Sequence, residues 1–240
     1  MSAVDLRRIG TDLLGEAAGR SHRRDAVLPR TGGPAGNARL TAWTGAILLV
    51  LFVAELITLL DVHGLVDWHV ALGVLLVPPA LLKTASTGWR FLRYYTRGRP
   101  YVEAGPPILP LRLLGPLVIV FTLGLLGSGL VLIAVGEQRS REDGVLGISW
   151  VNIHQAFFVL AGVALALHFL ARAVPAWMLI SGRRKEDPGR APRVPGGAAR
   201  LALVVLTLAV AGVTTALVLP ADTSWHHEDF GFARFHDHDH

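Results

Sequence analysis

This 240-residue chain is 52% hydrophobic and only 17% charged, whereas a soluble domain carries about a quarter charged residues. Lys and Arg outnumber Asp and Glu by 23 to 18, and cysteine is absent. The missing thiols exclude disulfides, covalent attachment of a prosthetic group through Cys-x-x-Cys-His, thiolate-held iron–sulfur clusters and cysteine nucleophiles.

Residues 1–39 are polar and rich in arginine, with no early apolar core, so no cleaved signal peptide is expected. Within them Val4, Leu6, Ile9, Leu13 and Leu14 are spaced for a short amphipathic helix lying on a membrane surface. Arg30-Thr-Gly-Gly-Pro-Ala-Gly-Asn reads as a flexible linker. Five apolar stretches follow, at about Leu40–Leu60, Val66–Leu82, Leu113–Val135, Trp150–Val174 and Ala199–Leu219, each long enough to cross a bilayer. The expected fold is all-α: a polytopic membrane protein with five transmembrane helices. Residues 40–177 would form a four-helix bundle, 178–198 a cytoplasmic linker, 199–219 the fifth helix and 220–240 an external tail.

The basic residues are sorted by side. Seven Lys or Arg lie in the N-terminal arm, six around the second loop and seven around the fourth, against none, two and one on the alternating side. By the positive-inside rule the N-terminus is cytoplasmic and five crossings put the C-terminus outside. Because topology accounts for the basic charge, nucleic acid is not an expected partner. Scarce lysine beside abundant Ala, Leu, Gly and Val points to a GC-rich bacterial genome, so the expected location is a bacterial plasma membrane.

In the first stretch Glu55 is the only acid, about 9 Å below the outer end at 1.5 Å per residue. It could pair with His63 or His69, relay a proton or contact a quinol hydroxyl, or simply be a hydrogen-bonded acid facing the bundle. The hairpin Asp61 to Asp67 carries His63 and is short, so the helices it joins are antiparallel neighbours. His69 lies about one turn into the second stretch. The loop from Ser86 to Tyr101 alternates aromatics with arginines, as an interfacial anchor does. The sharper reading is a surface that clamps haem propionates or docks a soluble partner. Gly115, Gly124, Gly127 and Gly129 in the third stretch allow close helix packing and leave room for a flat macrocycle.

The fourth stretch holds His154 and His168, fourteen residues apart and therefore on one helix face about 21 Å apart along the axis. His154 and His69 lie at matching depth on separate helices. Two imidazoles at one level can ligate a single iron from opposite faces, and bundle interiors are where cofactor sites are built. A lone histidine near the interface would more simply bond a headgroup or a neighbouring helix. Ionisable groups within a membrane, however, are functional by default. The position matching His168 on the second helix is Lys83, which would snorkel to the surface or pair with a propionate. One haem is therefore expected rather than two.

A helix with His-x13-His, a second helix with one inward histidine and basic cytoplasmic loops resemble the bacterial cytochrome b561 and formate dehydrogenase cytochrome b subunit group, over about residues 40–177. The resemblance implies a subunit with haem b in a four-helix bundle that passes electrons between the quinone pool and a partner redox protein, with His69, His154 and His168 at the matching positions. The first helix departs from the pattern in having no histidine within its span.

After Pro220 the tail runs Trp225-His-His-Glu-Asp-Phe-Gly-Phe-Ala-Arg-Phe-His-Asp-His-Asp-His. His226, His227, His236, His238 and His240 alternate with carboxylates, a donor set that binds divalent zinc, copper or nickel modestly. The alternative function is accordingly a haem-free membrane protein that binds or senses divalent metal through this tail.

Overall fold

The structure, a computed structural model, describes residues 3–20, 25–105, 108–181 and 194–220. Eight α-helices are present among them: α1 (Ala3–Ala17), α2 (Gly33–Thr58), α3 (Val66–Tyr95), α4 (Arg99–Glu103), α5 (Leu109–Val135), α6 (Glu137–Glu142), α7 (Trp150–Ser181) and α8 (Gly197–Val218). Five of them, α2, α3, α5, α7 and α8, are long and apolar enough to cross a membrane, as the hydropathy pattern predicts. The chain is thus a multi-pass membrane protein by length and composition.

The helices begin where glycine and proline permit. Gly32 adopts a left-handed φ of 75° ahead of α2, with Pro34 in the first turn, where its missing N–H costs no hydrogen bond. Five of the eight residues of the expected linker, 33–37, are therefore helical. Gly196 (φ 79°) precedes α8 in the same way. The Arg200 guanidinium donates to the Val194 and Pro195 carbonyls and to the Thr31 carbonyl, tying the start of α8 to the chain entering α2.

The expected loop after Leu82 is another departure. Helix α3 continues to Tyr95, 30 residues and about 45 Å in all, longer than a hydrocarbon core of about 30 Å. Arginine and aromatic residues do not break a helix, and the first effective stop is Gly98 with Pro100. Arg93 lies over the Trp89 ring at 5.8 Å and Arg112 over Tyr95 at 5.5 Å, while Arg90 pairs with Asp25. Between α6 and α7 a two-residue hairpin pairs Gly144 with Ser149 and Val145 with Ile148. Its turn residues Leu146 and Gly147 both have positive φ, 54° and 78°, matching a type I′ turn.

Helices α2, α3, α5 and α7 close into a ring in which each packs on the next and α7 packs back on α2. Helices α3 and α7 are thus diagonal, facing each other across the interior. Helix α8 lies outside the ring against α3. Small and hydroxyl residues are buried between the helices, among them Ala38, Ala42, Thr44, Ala80, Ser128, Ala161 and Ala164, while Val50, Leu170 and Leu217 point outward. This arrangement suits lipid, where close backbone approach rather than apolar burial holds helices together. The expected surface helix is α1, and it packs against α7, with Gly19 beside Met178 and Val174.

Candidate functional site

The end of the bundle nearest the α2–α3 hairpin gathers five polar side chains from four helices. Glu55 and Thr58 come from the last turn of α2, one turn apart and so on one face. His69 comes from the first turn of α3, Ser128 from α5 and His154 from the second turn of α7. The rings of His69 and His154 meet across the interior with centroids 6.5 Å apart and planes at 88°. The expected pairing of these histidines, made on depth alone, is a contact in the structure.

Each ring is tethered through Nδ1. Thr58 Oγ1 donates its one proton to the Glu55 carbonyl at 2.6 Å, so towards His69 Nδ1, at 2.9 Å, it can only accept. Glu55 Oε1 is a further acceptor at 3.1 Å from the same nitrogen. On the other side Ser128 Oγ donates to the Leu125 carbonyl at 3.0 Å and therefore accepts from His154 Nδ1, also at 3.0 Å. An imidazole that donates from Nδ1 to such an acceptor carries its lone pair on Nε2. This is the tautomer of a ligand histidine, whose other ring nitrogen is bonded to a carboxylate, carbonyl or hydroxyl.

Glycines set the spacing around this cluster. A methyl on Gly129 would come to 3.3 Å from His154 Cε1, and one on Gly124 would overlap the Phe157 ring, so α5 and α7 approach closely at both points. Gly73, one turn beyond His69, leaves Glu55 Oε1 at 3.5 Å from where its Cβ would stand. Gly115 and Gly127 face open space. Glu55 Oε2 is buried without a hydrogen-bond partner, as is Thr122 Oγ1.

His168 does not join the pair. It sits fourteen residues along α7, with Lys83 and Arg172 within electrostatic reach. Lys83 neither snorkels outward nor reaches the histidine pair, because its ammonium turns onto α2, donating to the Thr41 carbonyl at 3.1 Å over Gly45. His63 is exposed on the hairpin, and Glu55 pairs with His69 instead. The arginines near Trp89 lie at the far end of α3. Arg90 is 21 residues from His69, about 32 Å along the axis, so it cannot clamp a group held by the histidine pair. Among the described residues no group of three or more His, Cys, Asp or Glu could hold a metal ion. The tail histidines His226, His227, His236, His238 and His240 lie outside the described residues.

Thr58 and Ser128 escape the sequence reading altogether. Their only signal is a hydroxyl at the depth of each histidine, and serine or threonine in an apolar helix is commonplace because it can bond its own backbone.

Two imidazoles are a donor pair that a metal ion accepts. Two imidazoles on opposite sides of one metal ion, each bonded at about 2.0 Å through nitrogen, hold their ring centres about 6 Å apart, close to the observed separation. No family model, curated protein or solved structure matches the chain.

Proposed function

We propose that the chain is the b-type cytochrome subunit of a membrane oxidoreductase, in which His69 and His154 would together hold one haem. The observation that carries this reading is the pair of imidazoles, each bonded at Nδ1 by a helix hydroxyl, facing each other from diagonal helices. When bound, haem would supply the one-electron carrier between membrane quinol and a redox partner protein. The chain's own residues orient the ligands, and the apolar helices place the site in lipid. Glu55 is the acid nearest the ligands and the candidate to take up a quinol proton. His168 has no histidine opposite it, since Lys83 occupies the corresponding place on α3, and this favours a single haem. The sorted loop charges support a cytoplasmic N-terminus and an external C-terminus in a bacterial plasma membrane.

Haem content of purified single variants tests the assignment. His69→Ala and His154→Ala should each lose most of the haem, while His168→Ala should retain it. Full retention in both ligand variants, or loss only in His168→Ala, would overturn the proposed pair.

A further inference from the structure

The end of the ring away from the histidine pair holds a second polar group. Lys83 lies 17 residues beyond Val66 on α3 and His168 18 residues beyond Trp150 on α7, about 26 and 27 Å along their axes, so the two share one level. Arg172 follows His168 by one turn on the same face of α7. Each of the three is within electrostatic reach of the other two. The Lys83 amine has its place because Gly45 of α2 lacks a side chain, and a Cβ there would come to 2.7 Å from Nζ. It donates one proton, to the Thr41 carbonyl, and has further N–H to give. His168 makes no hydrogen bond among the described residues.

The four ring helices carry two acids between them, Glu55 and Asp67, both at the opposite end. Outside the ring, α1 packs on α7 and buries Glu16. Even with Glu16 counted, nitrogen groups outnumber carboxylates by three to one. The neighbouring surface is apolar, with Leu81 exposed on α3 and Leu167, Phe169 and Leu170 exposed on α7. A ligand that reaches this site through lipid must combine acceptor oxygens with apolar chains.

We infer that Lys83, His168 and Arg172 hold the phosphate of an acidic phospholipid drawn from the leaflet at their level. Basic pockets between membrane helices bind such headgroups. The depth fits, since about 26 Å of axis approaches the far side of a hydrocarbon core of about 30 Å, where phosphates begin. Arg172 keeps its charge at any depth, and its guanidinium matches two phosphate oxygens at once. Lys83 and His168 each donate a hydrogen bond whether charged or neutral, so the site does not depend on their ionisation. It rests on the membrane-spanning helices alone and stands with or without haem.

Native mass spectrometry of the full chain in detergent tests this, with phosphatidylglycerol, phosphatidylcholine and inorganic phosphate as probes. Wild type should bind one phosphatidylglycerol about fivefold or more tightly than phosphatidylcholine. Lys83→Met and Arg172→Gln should each remove most of that preference. Arg93→Gln, which removes an arginine stacked over Trp89 further along α3, should keep it. A wild type without the preference would overturn the inference whatever the variants do. So would an equal loss in Arg93→Gln, which would assign the binding to diffuse surface charge. Displacement of the lipid by inorganic phosphate at similar concentration would leave a phosphate site but overturn the lipid as its occupant.

Discussion

At the residue scale the chemistry turns on where single protons go. Thr58 and Ser128 each give their hydroxyl proton to the backbone, and this turns them from donors into acceptors for the histidines. Removing Ser128 should therefore loosen His154 more than it loosens the helix. Ser128→Ala should weaken haem retention by about 10- to 100-fold, the usual cost of losing a ligand's outer partner. It should cost stability only about 1 kcal/mol, since one hydrogen bond is lost. Haem titration and thermal unfolding in detergent read the two effects separately, and an unchanged haem affinity would contradict the role given to Ser128. His69 and His154 were legible because depth in a span can be counted from its ends. Glu55 was legible as a buried acid, but not its choice of His69 over His63. Lys83 was misread, because snorkelling ignores a carbonyl on the neighbouring helix that the chain brings within 3.1 Å.

At the element scale the contact between α5 and α7 depends on which glycine faces which ring. Gly124 lies against Phe157 and has no room for a side chain, whereas Gly127 faces open space. Gly124→Leu should destabilise the bundle by about 1–3 kcal/mol through overpacking, while Gly127→Ala should be neutral or slightly stabilising. Comparing their unfolding midpoints checks this, and equal destabilisation by both would show that α5 packs with a different face. Run length and hydropathy revealed all five spans, but the helix ends were less legible. Helix α3 outlasts its apolar run by thirteen residues because nothing between Lys83 and Tyr95 interrupts helical hydrogen bonding. The Leu146–Gly147 turn was also missed, since a hairpin with two-residue strands leaves almost no alternation to read.

At the scale of the whole molecule, the closed ring of α2, α3, α5 and α7 puts the histidine pair inside and leaves α8 as an outer companion of α3. Such a bundle was foreseeable from short connections and apolar spans, but which helices lie diagonally was not, because neighbour choice depends on packing that no single span encodes. The proposed orientation can be tested cleanly, since the chain has no cysteine of its own. A cysteine at His63 should react with a membrane-impermeant maleimide in intact cells, and one at Thr96 only after permeabilisation. Both sites are exposed, at opposite ends of the α3 span. The reverse pattern would invert the topology and place the histidine pair on the cytoplasmic side.

The central claim is that His69 and His154 hold one haem between them. The most direct measurement is a reduced-minus-oxidised visible spectrum of the purified full chain, with haem quantified as its pyridine complex. The expected result is a sharp low-spin b-type band at about one haem per chain. Protein that folds with ample haem supplied, yet shows no such band, would contradict the claim.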